Sequence, residues 1–130
     1  IVGDGPDADK LKNLIKEYKV EKTFKLLGKK NNPYPYIKYC DIFALLSYYE
    51  GLPITTLEAR VLQKPILVTN TAAVDGVANY EKSYIAENTE DGVYNAIKYG
   101  IEMLEKWKAL PKQNFEENYK IIEQIEKLVN

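Results

Sequence analysis

The chain has no histidine and a single cysteine among its 130 residues. The first absence removes the commonest metal ligand and the second excludes an internal disulfide, so zinc and haem sites have no ligand set to draw on, and no metal is expected. Cys40 lies in the apolar run Tyr39-Cys40-Asp41-Ile42-Phe43, where a thiol reads as a small buried hydrophobe rather than a nucleophile. An excess of one charge is lacking too: lysine plus arginine number 18 against 19 aspartates and glutamates. No global field is available to hold a nucleic acid or an anionic membrane, and any phosphate has to be gripped locally. No stretch approaches the roughly 18 apolar residues that span a bilayer, and no signal peptide precedes the first element, which makes the cytoplasm the expected compartment.

What is present suits a packed domain. Hydrophobic residues make up 45% and charged ones 28%, far from the composition of a disordered chain. The length fits one domain, residues 1–130, able to bury about two thirds of its unfolded surface. Ile1-Val2-Gly3 reads as the end of a buried strand with no lead-in, so a piece of a longer protein is expected.

Apolar runs of strand length alternate with segments of helical spacing, the pattern of βαβ units around a parallel sheet. Expected strands are Ile1–Gly3, Thr23–Leu27, Asp41–Leu46, Ile66–Thr69 and Ser83–Ala86. Expected helices carry the repeats Leu11, Leu14, Ile15 and Tyr18; Pro33–Tyr39; Ile54–Leu62; Val93, Ile97, Ile101 and Leu104; and Phe115, Tyr119, Ile122, Ile125 and Val129. Gln63-Lys64-Pro65 breaks the third helix and Pro111 the fourth, while Asn70 to Asn79 reads as loop with one helical turn. The fold class is α/β: a Rossmann-like open parallel sheet of about five strands with helices on both faces. Ligands bind such sheets beyond the carboxyl ends of the strands, which puts Gly3-Asp4-Gly5, Gly28-Lys29-Lys30, Ser47 to Pro53 and Asn70 to Asp75 around one crevice.

Gly3-Asp4-Gly5-Pro6-Asp7-Ala8 matches the dinucleotide pattern at a strand-to-helix junction. Asp4, Asp7 and Asp9 oppose it, because they put negative charge where a pyrophosphate needs the positive helix end. A tight turn that needs only glycine geometry accounts for the same residues. The stronger feature runs from Ser47 to Ala59. Glu50 falls in a loop at the end of a central strand, Gly51 lets backbone approach a ligand, and Pro53 opens a helix whose free amides form an anion seat. Glu58 lies one turn into that helix. Two carboxylates beside a phosphate seat suit sugar and ribose hydroxyls; alternatively Glu50 is solvated and Glu58 pairs with Arg60 or Lys64. The eleven tyrosines read as core and surface filler, with Tyr48 and Tyr49 the exceptions to test for stacking on sugar or base, because they stand beside Glu50.

At these residues the sequence resembles the group 1 retaining glycosyltransferases, whose fold is the two-domain GT-B. The resemblance runs from Ile1 to about Asn70 and is carried by Val2-Gly3-Asp4-Gly5-Pro6, Phe24 to Gly28, Asn32-Pro33-Tyr34-Pro35-Tyr36, Asp41-Ile42-Phe43, the Glu50 to Glu58 motif, and Lys64 to Thr69. It implies a carboxyl-terminal, donor-binding domain that takes part in moving a hexose from a nucleotide diphosphate-sugar, a UDP-sugar first among them, to an acceptor hydroxyl on a glycan or lipid-linked sugar. It further implies Glu50 beside the donor sugar in the catalytic role, backbone amides of Gly51, Leu52, Ile54 and Thr55 near sugar and diphosphate, Glu58 on the ribose, and Gly28, Lys29 and Lys30 near the base. No cofactor or metal is implied. The family's arginine and lysine that clamp the diphosphate lie upstream of Val2-Gly3 and are absent here; the resemblance also implies a missing amino-terminal acceptor domain, and this chain alone is expected to be inactive. That other domain could bring the enzyme to the inner face of the membrane. The match beyond Asn70 is loose. A non-catalytic nucleotide-binding module and a dinucleotide-dependent oxidoreductase domain are the alternatives.

Overall fold

The computed structural model of the chain describes residues 1–51, 53–113 and 127–128. They belong to two compact units, Ile1–Tyr36 and Ile37–Asn130.

In the first unit, helix α1 spans Ala8–Glu17. Its start is a turn in which the Ala8 amide bonds the Gly5 carbonyl at 3.1 Å, and Asp9 in the first turn pairs with Lys12 at 2.8 Å. It ends without glycine. Lys19 takes a left-handed φ of 55°, its amide reaching Lys16 O at 3.1 Å while the Val20 amide reaches Ile15 O at 3.0 Å, the two bonds of a Schellman end.

The expected strands Ile1–Gly3 and Thr23–Leu27 do not form a regular ladder. The Ile1 nitrogen donates to Lys25 O at 2.6 Å and the Leu27 amide to Ile1 O at 2.8 Å, the spacing of a parallel pair. The Gly3 amide then bonds Gly28 O at 2.9 Å, one residue past the carbonyl that a ladder would use. Gly28 has φ +67°, and a left-handed residue there slips the pairing as a bulge does. Upstream, the Thr23 and Phe24 amides both go to Val20 O, so this segment begins as a turn.

The division between the units falls within α2, Tyr34–Tyr39. In the second unit, β1 (Phe43–Leu45), β2 (Ile66–Thr69) and β3 (Ser83–Ala86) form an open parallel sheet in the order β1-β2-β3. The register pairs Ala44 with Leu67 and Leu67 with Tyr84. Every residue of β2 is buried, as in a strand covered on both faces, whereas β1, expected as a central strand, lies at the edge of the described three-stranded sheet with Ala44 exposed. Helix α3 (Ile54–Val61) connects β1 to β2, a 3-10 turn (Ala72–Val77) connects β2 to β3, and α4 (Glu90–Ala109) follows. These helices flank the sheet, so the α/β class and the parallel open architecture hold, with three strands among the described residues.

Helix α3 ends as α1 does, at Gln63 with φ 59°, before Pro65 as the sequence indicates. Thr71 and Thr89 start the 3-10 turn and α4 with side-chain caps, accepting from the Ala73 and Gly92 amides respectively.

Helix α4 has the expected amphipathic period but a different phase. Its buried residues are Gly92, Ala96, Gly100 and Trp107, whereas Ile97 is 45% and Ile101 67% exposed. The reason is steric. A Cβ on Gly100 would lie 3.1 Å from Leu67 Cδ1 and 3.4 Å from Ile42 Cδ1, so the helix approaches the sheet through its small residues. Trp107 closes this interface, with Tyr99 edge-on at 5.9 Å and Tyr84 beyond it at 4.5 Å from Tyr99. The last expected helix, Phe115 to Val129, lies outside the described residues except for Lys127 and Leu128, which are helical. Among the described residues, no helix is long and apolar enough to cross a membrane.

Candidate functional site

The carboxyl end of β1 opens into residues 46–53 and then into α3, the arrangement read from the sequence. Glu50 is half-buried in this loop, while Tyr48 and Tyr49 before it are 54% and 93% exposed. The tyrosines therefore do not anchor the loop by packing. Leu52 lies outside the described residues.

The amino end of α3 is open. Pro53 is its N-cap in extended conformation, with no side-chain cap bond, and the first satisfied amide is that of Thr56, on Pro53 O at 3.2 Å. Among the described residues, no acceptor meets the amides of Ile54 and Thr55. Both residues are exposed. Two unsatisfied N–H groups at a positive helix end make an anion seat. The Thr56 hydroxyl donates to Pro53 O at 2.7 Å, which holds the turn closed and leaves the outer amides free.

Glu58 is half-buried and stands four residues after Ile54, hence on the same helix face and about 6 Å further along the axis. Glu50 and Gly51 thus lie in the loop, and Ile54, Thr55 and Glu58 lie in the helix that follows it. Gly28, Lys29 and Lys30 belong to the first unit. There Gly28 provides the left-handed turn, Lys29 is exposed, and the Lys30 ammonium lies 5.8 Å over the Tyr36 ring, a cation–π distance.

The glycine turn before α1 is closed on itself. Asp4 Oδ1 accepts from the Gly5 amide at 2.9 Å, so a donor that a dinucleotide pyrophosphate would use is already taken by a carboxylate. Cys40 is half-buried with its Sγ 3.1 Å from Ile37 O, and burial pushes its thiol up from the ordinary 9.0, the opposite of what a nucleophile needs. Among the described residues, no three of His, Cys, Asp and Glu gather as a metal site would require.

Two residues of this region were not legible as such. Thr69, at the end of β2, donates from its hydroxyl to Ser47 O, and Asn88, just past β3, donates from Nδ2 to Tyr48 O at 2.8 Å. Their only sequence signal is a polar residue at or after a strand end.

The described residues form an α/β domain with an open parallel sheet, in which the loop of Glu50 and the open amino end of α3 follow the carboxyl end of β1. Residues 1–126 match the family described as glycosyl transferases group 1, and the chain belongs to that family. It is 37% identical over 70 residues to a Campylobacter jejuni N-acetylgalactosaminyltransferase acting on a diphospho-undecaprenol-linked sugar, covering 54% of this chain and 19% of that protein. It is 38% identical over 71 residues to the Escherichia coli UDP-Gal:alpha-D-GlcNAc-diphosphoundecaprenol alpha-1,3-galactosyltransferase, covering 54% and 18%. With the Escherichia coli O-antigen biosynthesis glycosyltransferase WbnH it shares 34% over 97 residues, covering 72% and 26%. The chain thus spans between about a sixth and about a quarter of the length of the curated relatives it matches.

Proposed function

We propose that this chain is the carboxyl-terminal, donor-binding domain of a retaining GT-B glycosyltransferase that moves a hexose from a nucleotide diphosphate-sugar, first a UDP-sugar, to an acceptor hydroxyl. The observation that carries the reading is the open amino end of α3, with the Ile54 and Thr55 amides unsatisfied and Glu50 and Glu58 on either side of them in sequence. The names of the relatives, one of which specifies UDP-Gal and two a lipid diphosphate acceptor, support the donor and acceptor classes.

In the reaction the bond between the anomeric carbon and the diphosphate oxygen breaks as the acceptor oxygen bonds to the same face of that carbon. The acceptor proton passes to the departing phosphate oxygen, and nucleoside diphosphate is released. The α3 amides stabilise the charge that grows on the leaving phosphate, the role of a preorganised donor pair. Helix amides and basic side chains from upstream sequence suffice for this without a metal. Glu50 orients the sugar and Glu58 accepts from the ribose hydroxyls, while Gly28, Lys29 and Lys30 meet the base. Without the upstream clamp residues and the acceptor site of the other domain, the chain alone is inactive. The whole enzyme works in the cytoplasm, at the membrane face where lipid-linked sugars are built.

Titrating the isotopically labelled chain with UDP, GDP, ADP and NAD tests this. Amide resonances of Gly51, Ile54 and Thr55 should move with UDP or GDP, with a dissociation constant weaker than about 1 µM because the charged clamp is lacking. No response at millimolar UDP and GDP overturns the nucleotide reading, and a response to NAD confined to Gly3–Ala8 favours the dinucleotide alternative.

A further inference from the structure

Residues 47–51 take part in no backbone–backbone hydrogen bond among those described, and the side chains of Tyr48 and Tyr49 are exposed. What holds the loop is a pair of side chains from the neighbouring strand ends. The Thr69 hydroxyl, fully buried, binds the Ser47 carbonyl across 22 positions of sequence. The Asn88 amide binds the next carbonyl, that of Tyr48, at 2.8 Å and across 40 positions. Two consecutive loop carbonyls, three and two residues before Glu50, are thus fixed to β2 and to the start of the turn after β3.

Holding two successive peptide planes, 47–48 and 48–49, restricts the soft dihedrals of Tyr48 between them and fixes where the chain departs toward Glu50. We propose that Thr69 and Asn88 are positioning residues for Glu50, holding its carboxylate at the mouth of the α3 amide seat. The assignment rests on the donor-facing role of Glu50. Neither residue touches substrate; each acts through the loop backbone. Thr69 closes β2 and Asn88 lies two residues past β3, so the anchors sit on or beside the sheet, and a site supported by rigid elements is held more closely than one left to a loop.

The tethering is tested in this chain and its consequence in the full-length enzyme. In the chain, Asn88→Ala and Thr69→Val should shift the amide resonances of Tyr48 to Gly51 while leaving those of α4 in place; unchanged loop resonances overturn the proposal. In the enzyme, the double variant should lower kcat about tenfold or more, as misplacement of a reacting group does, with donor KM within about threefold. Thr69→Ser, which keeps the hydroxyl, should keep kcat near the wild-type value where Thr69→Val lowers it. In a Glu50→Gln background the double variant should cost almost nothing further, because the residues act through one group. Equal losses in both backgrounds overturn the assignment to Glu50. Loop resonances that move while Glu50→Gln leaves turnover intact show instead that the catalytic reading of Glu50 has failed.

Discussion

Gly76 in the 3-10 turn stands so close to Thr56 in the first turn of α3 that a Cβ on the glycine would lie 2.9 Å from the Thr56 Cβ and closer still to its hydroxyl oxygen. Gly76 is buried and Thr56 fully so, and the same hydroxyl closes the Pro53 turn under the open amides of Ile54 and Thr55. Gly76→Ala should therefore destabilise the chain by about 1–3 kcal/mol, the cost of overpacking. Urea unfolding measures it, and an unchanged midpoint would show that the 3-10 turn shifts freely. The same variant should perturb the Ile54 and Thr55 amides in NMR spectra, since relief of the clash moves the helix start.

Helix α4 offers a test of phase. Ile101→Lys places a charge on an exposed face and should change stability by no more than about 0.5 kcal/mol, whereas Ala96→Leu drives a larger side chain into a fully buried position and should cost about 1–3 kcal/mol. Sequence periodicity alone orders these two the other way. Comparing their unfolding midpoints decides between the phases.

Tyr80 is buried, donates its hydroxyl to Lys64 O at 2.9 Å, and lies 5.7 Å from the Arg60 guanidinium. Burial pushes its phenol well above the ordinary 10.0, with Arg60 opposing only in part. The native state thus holds the proton more tightly than the unfolded chain. Its contribution to stability is complete below pH 10 and declines as pH rises beyond that. Tyr80→Phe should lose about 1 kcal/mol for the hydrogen bond at neutral pH and should flatten the alkaline decline. Unfolding curves from pH 8 to about 11.5 check both effects; an unaltered alkaline limb would assign the decline to other groups.

The two glutamates should separate kinetically in the full-length enzyme. A ribose contact exists in ground and transition states alike, so Glu58→Ala should mainly raise donor KM. Contacts of Glu50 should strengthen as the sugar becomes oxocarbenium-like, so Glu50→Gln should mainly lower kcat. A 2′,3′-dideoxy donor should cost the wild type about 2 kcal/mol and the Glu58→Ala enzyme much less. Additive losses would detach Glu58 from the ribose, and turnover within about threefold for Glu50→Gln would remove Glu50 from the catalytic role.

By itself the sequence determined the features that depend on neighbours along the chain. The apolar runs within Asp41–Leu46 and Ile66–Thr69 had to be strands, Pro65 and Pro111 had to stop helices, and Gly51-Leu52-Pro53 had to interrupt the chain between a strand and a helix, with Glu50 and Glu58 carried at fixed distances from that break; which strand is covered on both faces was decided by packing, and it is β2 rather than β1. Tertiary structure decided what depends on packing across the fold. Periodicity marks an amphipathic helix without fixing which stripe meets a sheet, and the bulk of Leu67 and Ile42 turned the small face of α4 inward. Gly28 slipped the pairing of Ile1–Gly3 with Lys25–Leu27, because one left-handed residue redirects a carbonyl that composition does not distinguish. The bonds from Thr69 and Asn88 to the loop of Glu50 exist only once three strand ends lie side by side; no local pattern encodes a hydrogen bond across 22 or 40 positions.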